Sequence, residues 1–230
     1  MSVQVVKVGE EETPIVVIDN FVQSPDALID DAVAMVPFPS VRENYYPGLR
    51  RQITPADTNS FDYVQAVCRG IVPVIHSTYG VESFEILDAS YSLVTTPPQH
   101  LQPLQSIPHF DFQDDESYAI LHYLSKNPGG GTGFYRHIRS GFETLSPERI
   151  EAYKIAVDQD AVVHGTPTGY FEGNSNGFFE LARIEARFNR ALIYPGKLLH
   201  SGLIPENFGF SSDPRQGRLT ANIFIRARKV

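Results

Sequence analysis

A series of short β-prone segments beyond Gly80 is the feature that most constrains the fold of this chain. The segments are rich in β-branched and aromatic residues, and turns rich in Gly and Pro separate them. They cover residues 83–95, 116–124, 132–137, 190–194 and 218–227. Such spacing is typical of a closed or two-sheet antiparallel architecture. We therefore predict a mainly β fold with its core over about residues 83–227.

Helical patterns precede this core. Apolar residues recur at helical spacing over residues 25–36, and Ser24 with Pro25 is a favourable helix start. A second helix is expected over about residues 59–79, and Pro73 should kink or split it. The sequence thus predicts flanking helices, a helical N-terminal layer over about residues 14–80 that packs on one outer face of a β-sandwich.

Size and composition fit one globular domain. A chain of 230 residues can bury a core without disulfides, so residues 1–230 are expected to form a single domain. The apolar runs are shorter than the roughly 18–20 residues that a membrane span needs, and the first residues lack a signal-peptide pattern, so we expect no membrane partner and a cytoplasmic location. A net charge of −8 without a basic cluster argues against nucleic acid. The oligomeric state is left open.

The tripeptide His109-Phe110-Asp111 carries the strongest chemical signal. Residues two apart in an extended strand point to the same side, so the imidazole and the carboxylate should converge. His200 follows a β-prone run and a Pro-Gly turn and offers a third ligand. Two imidazoles and one carboxylate on one face of Fe(II) leave three coordination positions open. We therefore predict a metal site at these residues.

Arg218 and Thr220 would share one face of the last β-prone segment. A guanidinium fork and a hydroxyl suit the distal carboxylate of a dicarboxylate ligand. Because the surrounding segment is apolar, an inward, partnered Arg218 is favoured over a surface ion pair.

In this combination the chain resembles the 2-oxoglutarate and Fe(II)-dependent dioxygenase superfamily, in its prolyl-hydroxylase-like branch. Residues 15–21 are similar to the first strand and turn of that family, and residues 129–134 to its Gly-Gly-x-Thr-x-Phe turn. Residues 189–196 resemble the strand before the distal His, and residues 217–220 resemble the element that anchors the cosubstrate. The resemblance covers roughly residues 14–227 and implies a double-stranded β-helix, the jelly roll that cupins also adopt.

The resemblance implies that His109, Asp111 and His200 bind Fe(II), and that Arg218 with Thr220 holds 2-oxoglutarate as the cosubstrate. The implied activity is hydroxylation of a protein side chain or a small metabolite. An aspartate in the carboxylate position favours hydroxylation over halogenation, which in this superfamily needs that position vacated for a halide.

Further residues are candidates for supporting roles. Tyr91 is a candidate to offer its hydroxyl to the cosubstrate, as tyrosines of the family do, but a core position is favoured over this role. Gln105 and Thr132 are candidates for contacts with substrate or behind the ligands, and His137 for contact with substrate. Lys197 is a rival to Arg218 for the distal carboxylate, because the stretch between His200 and Arg218 is longer than is usual in the family.

Two other segments are expected to border the site. Residues 38–56 combine aromatic and cationic side chains that could line an entrance. These side chains are Arg42, Tyr45, Tyr46, Arg50 and Arg51. Residues 137–187 form a long insertion, whose helix from Ser146 to about residue 157 and Gly-rich stretch 165–173 are expected to form a lid or a substrate wall.

Two alternative hypotheses remain at this point. A cupin-like metal protein without 2-oxoglutarate would keep the fold, but such proteins usually supply more His ligands. A non-catalytic β-sandwich that binds a partner or a sugar would carry its His and Asp residues for structural reasons, and would ignore both iron and 2-oxoglutarate.

Overall fold

The computed structural model describes residues 1–40, 46–127, 129–205 and 208–228. Within these ranges, ten strands form two antiparallel sheets, and three helices flank them. The strands are β1 (Ser2–Val8), β2 (Thr13–Asp19), β3 (Gly48–Gln52), β4 (Phe84–Val94), β5 (Ser117–Tyr123), β6 (Gly131–His137), β7 (Phe178–Glu185), β8 (Arg190–Pro195), β9 (His200–Leu203) and β10 (Arg218–Ala227). The helices are α1 (Pro25–Ala34), α2 (Thr58–Tyr79) and α3 (Ile150–His164).

The larger sheet has the order β1-β2-β8-β5-β10-β4-β3, and the smaller has the order β7-β6-β9. An isolated antiparallel bridge joins His109 to His200 at the start of β9. Because β2 pairs with β8 and β4 with β10, strands from the N-terminal third are part of the same sheet as the last strand. The arrangement is the mainly β, double-stranded β-helix that the sequence predicted.

Alternation along the strands divides the larger sheet into two faces. The outer face of β2, β4, β5, β8 and β10 packs against α1 and α2, where Leu28 is 6% exposed and Ile75 is 0% exposed. The inner face packs against β6 through a second apolar cluster that includes Tyr123 and Phe134. At the start of β10, the inner face instead carries the buried polar residue Arg218, and the candidate site lies there.

Some local elements differ from the expectation. Pro73 does not split α2, which continues unbroken with Pro73 on its exposed side. Residues 147–149 form a turn, so α3 begins at Ile150, later than its Ser-Pro signal suggested, and it extends to His164. Residues 38–56, in which the sequence predicted no strand, contain β3, which forms because Gly48–Gln52 pair with β4. Such long-range pairing leaves no local pattern.

None of the helices in the described ranges combines the length with the hydrophobicity that crossing a bilayer requires.

Candidate metal and cosubstrate site

His109, Asp111 and His200 come together at one end of the sandwich. One ligand atom from each side chain lies within 4.8 Å of the others. His200 Nε2 lies 3.5 Å from Asp111 Oδ2, and the two imidazole rings have centroids 4.3 Å apart. Adjacent donors about 2.1 Å from an octahedral metal would be roughly 3 Å apart, so a small adjustment would bring the three onto one cation.

Backbone hydrogen bonds hold the three ligands in register. The backbone N–H groups of His109 and His200 each donate to the carbonyl of the other residue at 2.8 Å. The N–H of Asp111 donates to the carbonyl of Gly196 at 2.7 Å. A Cβ at Gly196 would lie 2.6 Å from the ring of Phe112, so a glycine lets the two segments approach. The turn before His200 therefore fixes the position of Asp111 as well.

The orientation of the His200 ring follows from its second nitrogen. Nδ1 lies 2.8 Å from the carbonyl oxygen of Leu198. A carbonyl can only accept, so Nδ1 carries the proton and the lone pair is on Nε2, the atom beside Asp111. Phe134 and Tyr194 pack around the ring and restrict its rotation. His200 is therefore set to bind a metal through Nε2.

The surroundings keep the imidazole neutral at His109. One side of its ring is open to the cavity, but protein surrounds the rest. This desolvation, followed by the neighbouring His200 and Arg50, lowers the pKa of His109 well below its usual value. Desolvation raises the pKa of the Asp111 carboxyl, and His200 and Arg50 oppose the rise. A cation bound between them would favour the neutral imidazole and the ionised carboxylate, the forms that act as ligands.

The ligands open into a cavity of about 330 Å³. Its walls come from β3, β4, β9, β10 and the loop that precedes His109. The lining residues are Tyr46, Pro47, Arg50, Val94, Leu104, Gln105, His109, Phe110, Asp111, Tyr170, Ser201, Gly202, Ile204 and Arg218. The volume and the mixture of apolar walls with a few charged groups fit a small-molecule site.

Arg218 is buried in the wall of this cavity, where it is 6% exposed. Its Nη2 donates to the carbonyl of Gly131 at 2.9 Å, and its guanidinium carbon lies 5.6 Å from the centre of the Tyr123 ring. Its Nε is buried and makes no hydrogen bond with the described residues. A buried guanidinium with an unused donor is costly unless an anion pairs with it. Arg218 therefore fits a carboxylate ligand in the cavity.

Thr132 lies behind Arg218 rather than in the cavity. Its Oγ1 and the hydroxyl of Tyr123 are hydrogen-bonded at 2.6 Å, and both side chains are buried. Tyr123 in turn lies under the Arg218 guanidinium. Thr132 thus supports the ring on which Arg218 rests.

Two further candidates, Gln105 and Thr220, differ in whether they line the cavity. Gln105 lines the cavity, and its Oε1 accepts a 2.8 Å hydrogen bond from the backbone N–H of Gln102. Thr220 is buried on the same face of β10 as Arg218 but does not line the cavity, and its Oγ1 accepts from Asn222 at 3.2 Å. Direct contact between Thr220 and a ligand is therefore not part of this geometry.

The structure does not place Tyr91 at the cavity, so it does not support the candidate role in cosubstrate binding. Ser92 is bonded to Arg50 and Asn222 on the cavity side of β4, so the alternation of the strand turns Tyr91 toward the helices. There its hydroxyl lies 3.3 Å from that of Ser60 on α2, in the outer apolar cluster. Tyr91 is a core residue, the other reading that the sequence allowed.

The expectations for His137 and Lys197 are wrong. His137 is fully buried in the smaller sheet, where Nδ1 is bonded to Ser140 at 2.9 Å and Nε2 lies 3.0 Å from the carboxylate of Asp160. Lys197 forms an ion pair with Asp115 at 2.5 Å. Neither residue lines the cavity. Of the two rivals for the distal carboxylate, only Arg218 is in the site.

Tyr46, Arg50 and Tyr170 line the cavity. The sequence suggested only an entrance role for the first two and no role for Tyr170 by name. The aromatic and cationic composition of residues 38–56 was the available signal for the first two, while Arg42 and Tyr45 of that stretch lie outside the described residues. Tyr170 comes from the Gly-rich part of the insertion and bonds to the carbonyl of Thr96 at 2.7 Å. The insertion therefore supplies part of one wall.

A family model matches almost the whole chain. It is described as Family of unknown function (DUF6445), and the match covers residues 1–225. Among curated proteins, none is similar to the chain in sequence.

Solved structures share the fold over nearly the full length. HygX from Streptomyces hygroscopicus, with nickel and 2-oxoglutarate bound, has a TM-score of 0.54 and 14% identity over 94% of this chain and 84% of its own. A prolyl-4-hydroxylase from Pseudomonas putida has a TM-score of 0.54 and 14% identity over 95% of each chain. SnoN, an α-ketoglutarate-dependent epimerase from nogalamycin biosynthesis, has a TM-score of 0.54 and 10% identity over 94% of this chain and 79% of its own. These likenesses confirm that the chain has the fold of 2-oxoglutarate and iron dioxygenases.

Proposed function

The chain belongs to the Family of unknown function (DUF6445), and we propose that it is an Fe(II)- and 2-oxoglutarate-dependent dioxygenase that hydroxylates a small molecule or a protein side chain. One observation carries the proposal. His109 and Asp111, which form a group with the adjacent His200, line the same cavity as the buried, incompletely bonded Arg218. The group suits a divalent metal, and Arg218 suits the far carboxylate of a ligand that chelates that metal.

The donor set supports iron. Two neutral imidazoles and a carboxylate on one side of a cation leave the opposite side open, as non-haem Fe(II) oxygenases require. Once bound, Fe(II) and 2-oxoglutarate together would supply the oxidising chemistry. The backbone bridge between His109 and His200 holds the two ligating rings, and the carbonyl of Leu198 orients one of them.

Arg218 would position the cosubstrate. Its guanidinium is held by Gly131 and the Tyr123 ring, so it is preorganised before any ligand arrives. Pairing with a carboxylate would satisfy the unused Nε and balance a buried charge. HygX, which shares the fold, binds nickel and 2-oxoglutarate, and this supports the same class of ligands here.

The enclosure of the cavity would limit access of water to the reacting centre. Val94, Leu104, Phe110 and Ile204 contribute apolar surface around the ligands. A dry site strengthens the interaction of Arg218 with an anion and protects a reactive centre from side reactions. The proposed roles of the chain itself are therefore to hold the metal, orient the cosubstrate and exclude water.

Anaerobic titration of the Fe(II)-loaded protein with 2-oxoglutarate tests the proposal. Chelation should produce a weak metal-to-ligand charge-transfer band in the visible range in the wild type. His200→Ala should lose iron and the band, whereas His76→Ala, an exposed position on α2, should retain both.

Arg218→Gln separates cosubstrate anchoring from metal binding. It should retain iron but raise the Kd for 2-oxoglutarate by roughly 30-fold or more, because removing one member of a buried charged pair costs about 2–5 kcal/mol. Arg215→Gln is the matched control, since Arg215 is an exposed residue paired with Asp30. Iron binding without the band would favour a cupin-like metal protein that does not use 2-oxoglutarate. No iron binding would leave a non-catalytic β-sandwich.

A further inference from the structure

A second arginine lines the cavity and is not needed for the cosubstrate. Of the two carboxylates of 2-oxoglutarate, one would chelate the metal and the other would pair with Arg218. Arg50, on β3, lines the same cavity and is separated from β10 by β4. Arg50 is therefore a second cation in the wall of this cavity, carried by a different strand from Arg218.

Contacts within the protein fix Arg50 but use little of its hydrogen-bonding capacity. Nε donates to Ser92 Oγ at 3.1 Å, and the guanidinium carbon lies 4.8 Å from the centre of the Tyr46 ring. Across the described ranges, Arg50 forms no ion pair and neither terminal nitrogen makes a hydrogen bond. By contrast, Arg51 on the opposite face of β3 is paired with Asp57 at 3.0 Å. Arg50 is thus a positioned cation whose terminal nitrogens are bonded to none of the described residues.

The charges of the described lining residues are unbalanced in the liganded state. They include two guanidiniums, Arg50 and Arg218, but one carboxylate, Asp111. With divalent iron and dianionic 2-oxoglutarate bound, one positive charge is left without a counter-charge. A net charge in a partly enclosed site is costly, and one more anion would offset it.

We propose that Arg50 binds an anionic group of the substrate, a carboxylate or a phosphate, and so selects substrates that carry this group near the carbon that reacts. This inference rests on the proposed function. A planar fork whose terminal nitrogens bond to none of the described residues matches both anions, and the stack on Tyr46 holds that fork in place. A neutral substrate would leave the charge of Arg50 uncompensated in the cavity.

Paramagnetic relaxation detects such an anion even when it binds weakly. Mn(II)-loaded protein saturated with 2-oxoglutarate is mixed with acetate or with inorganic phosphate, and the relaxation rates of the acetate protons and of the phosphate phosphorus are measured. Zn(II)-loaded protein gives the diamagnetic baseline. Enhanced relaxation of acetate indicates a carboxylate site, and that of phosphate a phosphate site.

Arg50→Gln should weaken binding of the enhanced anion by about tenfold or more, because hydrogen bonds to charged groups are the strong ones. Arg50→Lys should retain part of the binding, and Arg51→Gln should behave as the wild type. No enhancement of either anion, or equal enhancement in Arg50→Gln and wild type, would overturn the inference.

The affinity for 2-oxoglutarate, measured in the same variants, separates this inference from the proposed function. Arg50→Gln should bind 2-oxoglutarate within about threefold of the wild type, which also shows that the variant is folded. A loss as large as that in Arg218→Gln would make Arg50 a cosubstrate anchor and overturn the inference. If the wild type itself fails to bind 2-oxoglutarate, the proposed function fails, while the anion titration still decides the role of Arg50.

Discussion

Stability should fall between about pH 7.5 and pH 5 because His122 is buried, and His122→Gln should remove the part of the loss that this residue causes. His122 is fully buried on β5, away from the candidate site. Its Nε2 lies 3.1 Å from Asn189 Oδ1, and its Nδ1 lies 3.0 Å from the hydroxyl of Tyr63. The amide nitrogen of Asn189 donates to the carbonyl of Val22, so Oδ1 accepts and Nε2 carries the proton. The Tyr63 hydroxyl then donates to Nδ1, and the neutral imidazole is fully bonded.

The magnitude follows from the pKa of this ring. Burial lowers the pKa of His122 to about 4, and the bond to Asn189 opposes the shift only in part. In the unfolded chain the pKa returns to about 6.5. The folded state therefore binds fewer protons between these values, and the free energy of unfolding falls as the pH falls through this window. From about pH 7.5 to pH 5 the loss due to this residue is about 2 kcal/mol.

Urea unfolding of the metal-free protein at both pH values measures the effect. Removing the metal is necessary because metal binding is itself pH-dependent. Gln can donate to Asn189 and accept from Tyr63, but it cannot be protonated, so the variant should show a pH-dependent loss about 2 kcal/mol smaller than that of the wild type. Exposed His76→Gln on α2 is the matched control. Equal losses in wild type and His122→Gln would refute this account of the buried ring.

Two further substitutions test how the site is supported. Gly48→Ala should lower the free energy of unfolding by about 1–3 kcal/mol in urea titrations. The reason is that a Cβ there would lie 1.9 Å from the carbonyl oxygen of Leu93 and force β3 away from β4. Unchanged stability would show that the strands separate at no cost. Tyr123→Phe removes the 2.6 Å hydrogen bond to Thr132 in the core, so it should lower the free energy of unfolding by about 1–2 kcal/mol in the same assay and leave iron affinity unchanged. A large loss of iron binding would mean that this pair supports the metal ligands directly.

The local sequence pattern was sufficient to predict the strands and helices whose apolar residues recur at a regular spacing. The β-prone runs and the two N-terminal helical patterns correspond to observed strands and helices, because the period of the apolar residues directly reflects which faces are buried. The His-x-Asp pair was predicted from strand alternation, but His109 forms only an isolated bridge and Asp111 lies in a bend. The two side chains converge because their backbones bond to His200 and Gly196. The convergence of His200 and the inward position of Arg218 followed from the resemblance to a known family together with the apolar run around Arg218.

The position of Tyr91 required the tertiary structure. A strand pattern shows that neighbours face opposite sides, but not which side is the site. The register with β10 places Ser92 opposite Thr220 and turns Tyr91 toward α2. His137 was misplaced for a comparable reason, because its partner Asp160 comes from the later helix α3.

The amino-acid sequence alone specifies the groups available for chemistry and the face that each could share with its nearest neighbours. Which distant groups meet depends on the tertiary structure. Arg50 reaches the cavity because β3 pairs with β4, and this pairing depends on contacts between residues that are far apart in the chain. Local periodicity encodes burial over a few residues, whereas the composition of a site depends on strand order and register, which are set by the packing of the whole core.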